Sequence, residues 1–202
     1  MKALPNILTG LRLVAGLIMF LLLAGAAGGV PILSAALTPD DQFAMQRWAV
    51  VAFVVAAMTD FFDGFLARTF DAETAWGAIL DPIADKILVC GTILGLFALG
   101  ADPVIALPAA LILFREFAVS ALRESSAGKG LSLPVTLLAK WKTTVQLVAL
   151  GFLLVVQSWA ALNFDPAYVG QASDVAYGLL WVAALITIWT GWRYFAVARK
   201  SI

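Results

Sequence analysis

The sequence predicts an all-α, polytopic membrane protein: six transmembrane helices with both termini cytoplasmic. Three observations carry that expectation. Of 202 residues, 62% are hydrophobic and only 13% are charged, with a mean hydropathy of +0.96, whereas soluble domains average about 25% charged residues. Apolar runs of about 20 residues recur, the length that crosses a hydrocarbon core of roughly 30 Å. Lysine and arginine, finally, collect on one side of those runs, the mark of cytoplasmic loops.

The spans fall near 7–27, 47–69, 76–99, 103–124, 136–157 and 175–197. The connections at 28–46, 100–102 and 158–174 hold Asp40, Asp41, Asp102, Asp165 and Asp174, without a lysine or arginine. The opposite ends gather Lys2, Arg12, Arg68, Arg123, Lys129, Lys140, Lys142, Arg193, Arg199 and Lys200; Arg47 alone sits towards the acidic side. No spacer is long or polar enough to divide the chain, so residues 1–202 read as one membrane domain. Lys2, the apolar 13–23 stretch and Ala24-Gly25-Ala26 share features with a secretory leader. Arg12 lies late for a basic leader, and residues 4–9 look like an interfacial entry segment, so the first span is expected to remain.

Composition also excludes function classes. A formal net charge of zero gives no field for nucleic acid. The chain has no histidine, so neither a histidine-ligated metal nor a histidine base is available. A metal would have to be held by oxygen, which favours Mg²⁺ or Mn²⁺. The single cysteine, Cys90, forms no internal disulfide and reads as a small buried hydrophobe.

Charges inside spans are costly and mark functional sites. The second span ends Thr59-Asp60-Phe61-Phe62-Asp63-Gly64-Phe65-Leu66-Ala67-Arg68, and the third opens Gly77-Ala78-Ile79-Leu80-Asp81-Pro82-Ile83-Ala84-Asp85-Lys86. Asp60 and Asp63 are three apart and Asp81 and Asp85 four apart, so each pair shares a helix face. A short connection makes the two helices antiparallel neighbours, which lets both pairs converge near the cytoplasmic boundary. Four converging carboxylates cannot all ionise without cations between them. Two divalent ions supply that charge and suit displacement at phosphorus. Small residues at 64, 67 and 77 permit close approach of helices or of a flat substrate group.

The run Asp60-x2-Asp63-Gly64-x2-Ala67-Arg68-x8-Gly77-x3-Asp81-x3-Asp85 resembles, spacing for spacing, the signature of the CDP-alcohol phosphatidyltransferases. The resemblance implies a fold of six transmembrane helices, usually a homodimer, with two metal ions. It implies that Asp60, Asp63 and Asp81 are metal ligands and that Asp85 is a further ligand or the catalytic base. Asp60, Gly64, Ala67, Arg68 and Gly77 would hold the CDP part of a CDP-lipid such as CDP-diacylglycerol. The acceptor hydroxyl would attack the lipid-bearing phosphorus and release CMP.

The acceptor is read from the fourth and fifth spans. Arg123, Lys129, Lys140 and Lys142 suit anchoring at the membrane interface. Arg115 lies two turns deeper, where anchoring explains it poorly, and pairing with its neighbour Glu116 is not expected because adjacent helical residues do not face each other. Arg115 with Lys140 suggests an acceptor that carries its own phosphate. The segments Leu4-Pro5-Asn6-Ile7-Leu8-Thr9-x2-Arg12, Arg115-Glu116-x3-Ser120-x2-Arg123-Glu124 and Lys140-x-Lys142-Thr143 resemble the phosphatidylglycerophosphate synthase branch of the same family. That resemblance implies glycerol 3-phosphate as acceptor, bound by Arg115, Lys140, Arg123 and Lys142. Inositol phosphate, or phosphatidylglycerol to give cardiolipin, are alternative acceptors within the family. An ion-coupled transporter, the alternative from another class, would place its carboxylates at mid-membrane in two related halves, a pattern this sequence lacks. The expected location is a bacterial inner membrane with the site facing the cytoplasm.

Overall fold

The computed structural model describes the backbone of residues 4–31, 36–70, 75–128 and 137–201, and the side chains of 6–31, 36–60, 77, 79–126 and 141–199. Among these the protein is all-α. Six long helices follow one another: α1 Leu4–Ala26, α2 Pro39–Phe70, α3 Ala75–Ala98, α4 Ala106–Gly128, α5 Leu137–Gln157 and α6 Val169–Ser201. Single 3₁₀ turns, Pro103–Ile105 and Pro166–Tyr168, lead into α4 and α6. Stretches at Asn6–Ala26, Pro39–Asp60, Pro103–Ser126 and Pro166–Arg199 are long and apolar enough to cross a membrane, and α5 adds the shorter apolar stretch Trp141–Gln157. Helix α3 has the length but carries Asp81, Asp85 and Lys86 in its first half. The fold is therefore the polytopic helical one that the composition requires. Trp141, Trp189 and Trp192 and many aliphatic side chains lie exposed, as lipid contact demands.

Helix starts depart from the expected boundaries for a local reason. Helix α2 begins at Pro39, eight residues before the expected 47, because Thr38-Pro39-Asp40-Asp41 forms a reciprocal cap. The Asp41 amide donates to Thr38 Oγ1 at 3.3 Å, and the Thr38 amide and hydroxyl donate to Asp41 Oδ2 at 3.0 and 2.7 Å. The same economy recurs ahead of α4 and α6. Asp102 Oδ1 accepts from the Val104 amide at 2.8 Å, and Asp165 Oδ1 from the Ala167 amide at 2.9 Å, each with proline next in the chain. Asp41, Asp102 and Asp165 of the acidic connections are thus helix caps. Helices α1 and α3 end alike, on left-handed Gly28 (φ 75°) and Gly100 (φ 79°). Gly29 and Ala101 amides return to Ala24 and Leu96 carbonyls, satisfying groups that the helix end leaves open.

The helices form two compact units, Met1–Ala101 with Gly151–Gly170 and Asp102–Leu150 with Gln171–Ile202. In the first, α1 packs along both α2 and α3. The α1–α3 contact has a constant register. Gly16 faces Ile87 and Leu88, Thr92 Oγ1 lies 3.4 Å from Met19 Sδ, and a Cβ on Gly95 would fall 2.3 Å from Leu23 Cδ1. Since later residues of one helix meet later residues of the other, the two run parallel. Thr9, Arg12, Gly16, Met19 and Leu23 are all buried and recur at alternating steps of three and four. That is the seam of a coiled-coil-like pair, here closed tightly by glycine on both helices. At the other end of the unit, Gly151 of α5 admits the Phe53 ring, and Gln157 Nε2 and Arg47 Nη1 donate to the Leu99 and Ala161 carbonyls, each at 2.9 Å.

Candidate active site

The parallel seam sets what happens at its N-terminal end. One turn below Gly16, Arg12 meets Asp85, and one turn below that Thr9 meets Asp81. Thr9 Oγ1 donates to Asp81 Oδ1 at 2.5 Å. Arg12 Nη1 donates to Asp85 Oδ1 and lies 2.9 Å from Asp60 Oδ1 of α2. A single guanidinium nitrogen therefore ties a carboxylate of α2 to one of α3. Two unscreened carboxylates at about 4 Å repel by roughly 4 kcal/mol at an effective dielectric of 20; a cation between them turns that repulsion into attraction. Arg12 is 1% exposed, whereas the Asp60 and Asp85 side chains are 25% and 47% exposed. The arginine approaches from the protein interior and the carboxylates keep an open side.

Asp60, Asp81 and Asp85 are presented by two helices to α1, and Gly77 is buried one turn before Asp81. Asp63, Gly64, Ala67 and Arg68 fall in the last turns of α2, and their side chains lie outside the described residues, as does that of Lys140; Lys129 is outside them altogether. Among the described residues no three acidic side chains gather at ligating distance of one point. The donor set still suits a hard divalent cation: it is all carboxylate oxygen, partly open, and already drawn around a positive charge. The described contacts from Thr9 and Arg12 fall on Oδ1 atoms, and an ionised carboxylate has about four acceptor sites on two oxygens, so ligating capacity remains.

Arg12 is the residue whose role the sequence reading missed. It appeared there as a basic residue of the cytoplasmic side, yet at 1% exposure it cannot reach an interface. The signal was present in the three-four repeat of Thr9, Arg12, Gly16, Met19 and Leu23, which places the arginine in a buried seam.

In the second unit Arg115 is 8% exposed on α4. Its stem crosses Gly191 of α6, where a Cβ would fall 2.8 Å from Arg115 Cγ. Its guanidinium stands 5.8 Å from the Tyr194 ring centroid, and Nη2 donates to Thr190 Oγ1 at 3.3 Å. Arg115 Nε and, nearby in sequence to these partners, Thr187 Oγ1 are buried without a hydrogen-bond partner. Contrary to expectation, Arg115 does approach Glu116, with Nη1 3.5 Å from Oε1. The long side chains bend towards each other because Lys142 of α5 also pairs with Glu116 Oε1, fixing the carboxylate between two cations. Lys142 is buried and engaged, while Arg123 is exposed. Cys90 is half-buried rather than fully buried.

The family profile described as CDP-alcohol phosphatidyltransferase matches residues 2–189. Three relatives named CDP-diacylglycerol–glycerol-3-phosphate 3-phosphatidyltransferase are similar along most of the chain. That of Cereibacter sphaeroides is 36% identical over 232 residues, covering 99% of this chain and 96% of its own. That of Rickettsia felis is 37% identical over 199 residues, with 98% and 97% covered. That of Shigella flexneri is 42% identical over 156 residues, with 76% and 80% covered. A profile match along nearly the whole chain, on a helical membrane fold with the aspartate signature intact, makes this chain a member of the CDP-alcohol phosphatidyltransferase family.

Proposed function

We propose that this enzyme transfers a phosphatidyl group from CDP-diacylglycerol to glycerol 3-phosphate, releasing CMP and forming phosphatidylglycerophosphate. The observation that carries the reading is the gathering of Asp60, Asp81 and Asp85 from two helices around the buried Arg12–Thr9 edge of α1. The names of the relatives support the acceptor. Asp60, Asp63 and Asp81 would hold two divalent cations, Mg²⁺ or Mn²⁺, with Asp85 completing the set. Bound there, the ions would supply positive charge against the pyrophosphate oxygens of the CDP-lipid.

The chain's own groups do the rest. Gly64, Ala67 and Gly77 leave room for the cytidine nucleotide, and Arg68 contributes charge to its phosphates. Asp85 takes the proton from the acceptor hydroxyl as that oxygen bonds to the lipid-bearing phosphorus. The phosphorus–oxygen bond to CMP breaks in the same displacement. Arg115 binds the acceptor's phosphate, with Lys140, Arg123 and Lys142 adding positive charge. Glu116 holds Arg115 and Lys142 in place beforehand, so less side-chain entropy is lost on binding.

The distribution of charge supports both termini, and the site, facing the cytoplasm of a bacterial inner membrane. We further propose that residues 1–202 act as one membrane domain and that the enzyme is a homodimer. The deciding experiment is CMP release by the purified protein in detergent with CDP-diacylglycerol and competing acceptors. Turnover with glycerol 3-phosphate well above that with inositol phosphate or phosphatidylglycerol is expected. Absence of CMP release with every acceptor would overturn the reading.

A further inference from the structure

Arg12 is an expensive residue to place where it is. It is almost completely buried inside an apolar bundle, and among the described contacts its cost is offset by carboxylates from two neighbouring helices. Anchoring does not account for it, because an anchor reaches outward. A purely structural ion pair would need one carboxylate partner, but here one nitrogen serves both Asp60 and Asp85. Those two residues come from opposite halves of the aspartate signature. The neighbouring Thr9 adds a neutral donor to Asp81. The edge of α1 thus meets three signature carboxylates with one charge and one hydroxyl.

We propose that Arg12 is a built-in counter-ion for the metal-free enzyme, a positioning residue that keeps the aspartates assembled until divalent ions take over their charge. This rests on the metal-site reading above. Without metal, α2 and α3 bring like charges together, and Arg12 holds them at spacing. When a divalent ion binds Asp60 and Asp85, it competes with Arg12 for the same carboxylates and makes the arginine's charge redundant. The two effects of removing Arg12 therefore have opposite signs. The metal-free protein loses its only intrinsic compensation among the described contacts at these carboxylates and becomes less stable. The divalent ion loses a competitor and binds more tightly. An adjacent opposite charge changes a carboxylate's proton affinity by about 10- to 1,000-fold. The same Coulomb term acts on a metal, and with carboxylates partly open to solvent the lower end applies, about tenfold.

The test is thermal unfolding of the full-length protein in detergent, in EDTA and across a Mg²⁺ titration, for wild type, Arg12→Gln and Arg12→Lys. Wild type should be stabilised by Mg²⁺. Arg12→Gln should melt lower in EDTA, gain more from Mg²⁺ than wild type does, and reach half its gain at about one-tenth the concentration. Arg12→Lys, which keeps the charge, should follow wild type. If Arg12→Gln can be purified only with Mg²⁺ present and unfolds when EDTA is added, the counter-ion role is upheld. If it fails to fold even with Mg²⁺ while Arg12→Lys folds, the role is refuted, because metal then does not replace the arginine. Equal loss of stability with and without Mg²⁺ would mark Arg12 as a packing residue, and weaker Mg²⁺ binding would mark it as a permanent support; either overturns the proposal. A wild type indifferent to divalent ions would instead overturn the metal reading itself.

Discussion

Gly95 of α3 lies against Leu23 of α1 so closely that a Cβ at position 95 would fall 2.3 Å from Leu23 Cδ1 and 2.9 Å from its Cβ. This contact stands almost at the opposite end of the α1–α3 seam from Arg12 and Asp85, yet it belongs to the same register. A parallel pair of helices locked by glycine at one end has little freedom to slide or splay at the other. Gly95→Ala cannot be accommodated by rotating the leucine tip alone, because the leucine Cβ is also in the way. It should destabilise the protein by about 1–3 kcal/mol, as overpacked sites do, and lower CMP release as the Arg12–Asp85 end shifts. A melting temperature equal to wild type in detergent would show that α1 yields freely and that the register is not tightly held.

The aspartates should be unforgiving. Asp60→Asn or Asp81→Asn preserves size and removes the charge that a divalent ion needs. CMP release should fall by far more than tenfold, the equivalent of ~1.4 kcal/mol in the barrier, while the protein stays folded. EDTA should silence the native enzyme, and Mg²⁺ or Mn²⁺ should restore it. Activity of either variant within tenfold of wild type would sink its assignment as a ligand.

Orientation can be read with cysteines in a Cys90→Ala background. Val104 and Gly170 lie exposed beside the Asp102 and Asp165 caps, so cysteine at either position should react with an impermeant reagent added to intact cells. Cysteine at Ser125, exposed near the end of α4, should be protected. The reverse pattern would turn the topology over and with it the cytoplasmic site.

Arg115 should act on the acceptor. Losing a charge-assisted contact costs roughly 1.5–3 kcal/mol, so Arg115→Ala should raise the KM for glycerol 3-phosphate by about 10- to 150-fold and leave that for CDP-diacylglycerol nearly unchanged. Gly191→Val should act in the same direction more weakly, since the Arg115 stem occupies that space. An unchanged acceptor KM in Arg115→Ala would reduce Arg115 to a structural member of the Thr190–Tyr194–Glu116 cluster.

How much of this was legible depends on the range of the interaction. The helix count, the three-and-four spacing of Asp60, Asp63, Asp81 and Asp85, and the depth of Arg115 are local properties, and periodicity displays them. The start of α2 at Pro39 was also written locally, in the Thr38–Asp41 capping box, but the polar residues around it looked like a connection. Glu116 was misjudged because helical geometry separates adjacent Cβ atoms, whereas long side chains can bend together when a third group, Lys142 from another helix, draws the carboxylate in.

By itself, then, the sequence determined the class, the number of long helices, the sidedness of charge and which carboxylates are candidates for holding a cation. Those follow from composition and from the 3.6-residue period, which operate within one helix. Only the tertiary structure decided that Arg12 faces Asp60 and Asp85 and that Thr9 faces Asp81. A partner across helices depends on their relative direction and register, and here that register is set by glycine contacts at Gly16 and Gly95, which let two backbones approach closely enough for one alignment to exclude the others.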